Sequence, residues 1–81
     1  MDEELNGLRD RIGKLSVEAL RRGGEPMLDR VEAQLGVALR HSERLSQGTI
    51  QFTSTIKREM EESISRAEHF LDVNARPLVG I

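Results

Sequence analysis

Two histidines, His41 and His69, are where acid–base, metal or phosphotransfer chemistry would begin in this 81-residue sequence. Imidazole alone titrates near neutrality without perturbation. Neither histidine stands in an HExxH zinc pattern or an ExxH di-metal pattern. His69 lies three residues before Asp72, the spacing of a solvated surface pair on a helix. His41 precedes Ser42 directly, yet adjacent helix positions point about 100° apart. It therefore cannot serve as that serine's base. The other serines and threonines up to Ser65 read as helix-surface and turn residues. Glu59, Glu61 and Glu62 look like paired carboxylates, but catalytic pairs need burial to separate their pKa values. Here they alternate with Lys57, Arg58 and Arg66, which makes a solvated, ion-paired face. No GxxxxGK[ST] or GxGxxG loop occurs to cradle a phosphate. The expectation is a chain without catalytic residues, metal ligands or cofactor, and so not an enzyme.

The composition limits what could hold such a site in place. A chain of this length is one domain at most, and it buries only about 60% of the surface its unfolded state exposes. There is no cysteine, which removes disulfides, thiolate metal sites and thiol nucleophiles together. Phe52 and Phe70 are the only aromatic residues, so burial must come from aliphatic side chains. A core this thin favours completion by a second copy or another protein. Twelve basic residues against fourteen acidic ones leave a net charge of −2, unlike the basic surfaces of most nucleic-acid binders. Arg40, Arg44 and Lys57 are candidates for one basic face, but no aromatic accompanies them for base stacking. No apolar run approaches the roughly 18 residues of a membrane span. The acidic start Met1-Asp2-Glu3-Glu4 is unlike a signal peptide. An intracellular, cytoplasmic protein is the default expectation, with signal-independent export compatible.

Helical spacing organises the whole chain. Leu5, Leu8, Ile12, Leu15 and Ala19 recur at three and four, predicting a helix over about 3–22 with Asp2 as its cap. Gly23-Gly24-Glu25-Pro26 predicts a break: glycine suits a helix C-terminus, proline the first turn of the next helix. Leu28, Val31, Leu35, Ala38, Ser42 and Leu45 continue the seam, with Leu39 adjoining, over about 26–45. Gly36 reads either as a tolerated glycine or as a point of close helix approach. Gly48 and Thr49 suggest a C-terminal cap and a new N-cap, against the alternative of one unbroken helix. Phe52, Ile56, Met60, Ile64, Ala67 and Leu71 mark a third helix, over about 50–75, which Pro77 ends.

The predicted fold is all-α: a helical hairpin or three-helix bundle with coiled-coil-like packing, completed by oligomerisation, as a single domain over 1–81. The predicted interaction stripe is Leu28, Val31, Leu35, Leu39, Leu45, Phe52, Ile56, Met60, Ile64 and Leu71. The apolar tail Pro77, Leu78, Val79 and Ile81 either folds over the bundle end or docks in a partner's groove. The expected function is non-enzymatic protein–protein interaction or oligomerisation, with a homo-oligomer or another protein as partner. Two alternatives are a self-assembling subunit or small chaperone of a bacterial secretion or other filament-forming system, and a nucleic-acid-binding regulator.

Overall fold

Glycine, proline and hydroxyl residues decide where the helices stop. In the computed structural model, which describes residues 3–74, α1 spans Glu3–Gln34, α2 spans Gly36–Gln47 and α3 spans Ser54–Asn74. The fold is all-α, and no strand occurs among the described residues. Helix α1 is bent at Gly24, whose φ of 71° and ψ of −165° are not helical. The bend leaves an arm over 3–23 and a second arm over 25–34, with Pro26 in the opening turn of the latter. The cap expected at Asp2 lies outside the described residues.

The predicted turn after α2 is present. Gly48 adopts the left-handed conformation at φ 76° and ψ 16°. The Gly48 N–H donates to the Leu45 carbonyl at 3.2 Å and the Thr49 N–H to the Arg44 carbonyl at 3.0 Å. This paired pattern satisfies carbonyls that the helix end would otherwise orphan. The predicted N-cap at Thr49 is corrected: its hydroxyl donates back to the Arg44 carbonyl and so belongs to the preceding cap. Thr53 caps α3 instead, its Oγ1 accepting from the Ile56 N–H at 3.2 Å. Helix α3 therefore starts four residues later than the spacing alone suggested.

The arms are ordered by their cross-links. Arg9 reaches Ser42 and Ser46 of α2, whereas Arg11 and Arg22 meet Glu68 and Asp72 of α3. The arm over 3–23 thus runs antiparallel to α2 and parallel to α3. The three helices close on one core of Leu5, Leu8, Ile12, Leu15, Ala19, Met27, Val31, Leu35, Ala38, Met60, Ile64, Ala67 and Leu71. All five residues of the first seam are in it. In the second seam Met27 is buried and Leu28 only half-buried, because the Gly24 bend fixes the phase in which the next arm returns. Gly36 meets nothing within 4 Å of where a Cβ would sit, so the close-approach reading does not hold there. The close approach is at Gly23, where a Cβ would lie 2.5 Å from the Met27 Cβ.

Candidate functional site

The most unusual polar arrangement in the molecule is at Ser63, which the sequence reading placed among helix-surface residues. It is corrected to a core position, 2% exposed, one turn from Met60 and Ala67. Its Oγ donates to the Gln34 carbonyl at 2.9 Å and accepts from the Ala38 N–H at 3.4 Å. In an uninterrupted helix that N–H and that carbonyl would bond each other, since they are four residues apart. The α3 hydroxyl is inserted into the backbone ladder of its neighbour, a recognised cause of helix breaks. The break falls at Leu35, with φ −83° and ψ 2°, and separates α1 from α2. This is why the predicted helix over 26–45 is two elements. Ladder bonds on either side persist, Leu35 N to Val31 O at 3.0 Å and Leu39 N to Leu35 O at 2.8 Å.

Replacing Ser63 by Ala is expected to cost about 1 kcal/mol, the net worth of a buried hydrogen bond. The loss stays modest because the freed Ala38 N–H and Gln34 carbonyl can close on each other. The measurement is urea unfolding together with hydrogen exchange at the Ala38 amide. A lowered urea midpoint with the Ala38 amide still protected is the expected signature.

His41 and Glu59 form a second junction between α2 and α3. The His41 Nε2 lies 2.8 Å from the Glu59 Oε1. Against an ionised carboxylate Nε2 is the donor. Nδ1 is buried without a partner among the described residues. One Glu of the acidic cluster is therefore a tie between helices. The others, Glu61 and Glu62, share an open surface groove of about 350 Å³ with Arg58, Ser65 and Arg66. His69 is exposed. No group of three or more His, Asp or Glu side chains is arranged to hold a metal ion among the described residues.

Arginine and lysine make the remaining cross-links. Arg9 donates from Nε to the Ser42 Oγ at 3.0 Å, and from one terminal nitrogen to the Ser42 carbonyl at 3.1 Å and the Ser46 Oγ at 2.7 Å. A guanidinium against the last turns of α2 also complements the negative end of its dipole. Arg11 pairs with Glu68 at 3.0 Å. Lys57 donates to Glu4, and this pairing holds the Glu4 carboxyl below its ordinary value and the Lys57 ammonium above its own. Lys57 is thus engaged with α1, while Arg40 and Arg44 are exposed on α2. Glu18 is likewise held low by hydrogen bonds from Arg21 and Arg22. The Arg30 guanidinium sits 5.6 Å from the centre of the Phe70 ring, a cation–π contact that covers half-buried apolar surface.

The predicted stripe divides by environment. Val31, Leu35, Met60, Ile64 and Leu71 are buried by the chain's own helices. Leu28, Leu45, Phe52 and Ile56 are half-buried against the same core. Leu39 is 36% exposed. The tail residues Pro77, Leu78, Val79 and Ile81 lie outside the described residues. What the spacing did not single out is the pair Val37 and Val73, aliphatic side chains that face solvent as Val17, Leu20 and Leu39 do. Val17 and Leu20 are apolar residues off the first seam.

Comparison with known proteins adds no relative: no family model, no curated protein and no solved structure matches this chain. No helix among the described residues is long and apolar enough to cross a membrane.

Proposed function

We propose that the chain is a non-enzymatic helical interaction and oligomerisation module. One observation carries this reading: aliphatic side chains stand in water on the outer faces of helices whose inner faces are already filled. Val17 is 66% exposed and Val73 52%. Single exposed aliphatics are ordinary, but several on the helices of so small a domain give partners apolar footholds. The polar groups support the same reading, since His41, Glu59, Ser63, Arg9, Arg11 and Lys57 are each spent on contacts between helices. Three–four spacing along the first two seams supports coiled-coil-like packing, and a homo-oligomer or a second helical protein is the partner such faces suit.

The experiment is photo-crosslinking in cells, with a photoreactive residue placed in turn at positions 17, 20, 37, 39 and 73 and at the exposed polar position 32 as control. The expected result is protein adducts from at least one apolar position and none from the control. No adduct from any of the five would refute the reading.

A further inference from the structure

The arm over 3–23 buries one face against α2 and α3 and leaves a second three–four stripe on its back. That stripe is Asn6, Asp10, Gly13, Val17, Leu20 with Arg21, and Gly24. Val17 and Leu20, at 66% and 46% exposure, stand on it. On this side the surface forms an open trough of about 650 Å³ lined by Arg9, Asp10, Gly13, Lys14, Val17 and Glu18. A Cβ on Gly13 would meet nothing within 4 Å, so none of the described residues fills the notch at this glycine.

Building on the interaction reading above, we infer that this face is where two copies of the chain meet, antiparallel, about a two-fold axis beside residue 15. The charges select both the occupant and its direction. Asp10 lies toward one end of the stripe and Arg21 toward the other. In an antiparallel pair each Asp10 is level with the partner's Leu20 and one residue from its Arg21, and each Lys14 lies within a turn of the partner's Glu18. A parallel pair would set Asp10 against Asp10 and Arg21 against Arg21, and like charges placed opposite each other oppose association. The same register seats each Val17 over the partner's Gly13 and each Asn6 against the partner's Gly24. A two-fold contact must be self-complementary in this way. Asp10 and Lys14 pair within the chain at 3.0 Å, and Arg21 pairs with Glu18. All four are surface groups whose pairs have low individual worth, and they can exchange partners on docking.

The stripe from 6 to 24 is about 28 Å long at the rise of an α-helix. One helix face of that length is a small interface, at the weak end of specific association. The test is therefore sedimentation of the full chain from about 5 to 500 µM at low salt, the range in which a weak dimer forms. The expected result is a mass rising toward twice that of the chain. Val17→Glu should stay monomeric throughout with an unchanged helical spectrum and melting curve, since the side chain leaves no core. Asp10→Arg and Arg21→Asp should each weaken the dimer about tenfold or more, and the double exchange should restore it.

A wild-type chain that is monomeric at every concentration overturns the inference. So does a dimer that survives Val17→Glu, because another face then holds it. A dimer lost with Val17→Glu but indifferent to both charge changes and to their combination overturns the antiparallel register. Crosslinks to other proteins from positions 37, 39 or 73 in a monomeric chain would sink this inference and leave the interaction reading standing. An absence of crosslinks from all five positions sinks that reading itself.

Discussion

Leu35→Ala is expected to destabilise the protein by about 2–5 kcal/mol, the usual cost of emptying a filled leucine site. Leu35 is completely buried and is among the largest such side chains in the molecule. It also stands at the helix break, where α1 gives way to α2 and the Ser63 hydroxyl enters the ladder. A cavity there is hard to collapse, because the backbone on both sides is pinned to α3 through Ser63. For a chain of this length total stability is about 4–12 kcal/mol, so the loss is a large share of the whole. Urea unfolding followed by circular dichroism measures it: a lowered midpoint with unchanged slope is expected. Leu39→Ala is the matched control, one turn later in the same predicted stripe but 36% exposed. Its effect should be smaller by a factor of several. Equal losses at the two positions would mean that the seam does not face the core as described.

That contrast marks how far the sequence could be read. The all-α fold, the break at Gly23-Gly24 and the turn at Gly48 followed from spacing and from residues with unusual backbone freedom. The first and third seams were legible because nothing interrupts their phase. The second was legible as a buried stripe, with Val31, Leu35 and Ala38 all in the core, but not as two helices, for a reason located on another helix. Ser63 breaks the ladder at Leu35 from across the core; Gly36 beside it is a local weak point, but a glycine does not announce a hydroxyl arriving from a distant part of the chain. A clue existed in α3 itself, where Ser63 occupies an inward position between Met60 and Ala67, yet a serine there is also what a solvated helix face displays. The choice of Met27 over Leu28 has a similar origin: adjacent apolar residues compete for one inward position, and the angle of the Gly24 bend decides between them. The candidate interaction surface was the least legible part. Periodicity finds apolar stripes without saying which is covered by the chain's own helices, so a seam read as a surface for partners proves half core. The exposed aliphatics that remain are spread over three helices and stand out only once the fold has spent the rest.

Gly24→Ala is expected to cost about 1–3 kcal/mol through the backbone alone. At φ 71° and ψ −165° the residue occupies a region that an L side chain is excluded from by its own Cβ. Contacts contribute little, since a Cβ there would meet only the Pro26 Cδ, at an ordinary 3.7 Å. The neighbouring Gly23 is required for a different reason. Its φ is not positive, but an added methyl would collide with the Met27 Cβ and push a core side chain. The two origins separate experimentally. At 81 residues the chain is within reach of chemical ligation, so D-alanine can be placed at position 24. Inverted chirality turns the forbidden dihedral pair into the mirror image of ordinary extended backbone. The D-alanine variant at position 24 should therefore melt close to the wild type, while the L-alanine variant melts well below it. At position 23 no such rescue is expected: L-alanine meets Met27, and D-alanine is disfavoured by a helical backbone of the ordinary hand. An equally deep loss with D- and L-alanine at position 24 would show that the bend is held by packing around the hinge and not by the glycine's own freedom.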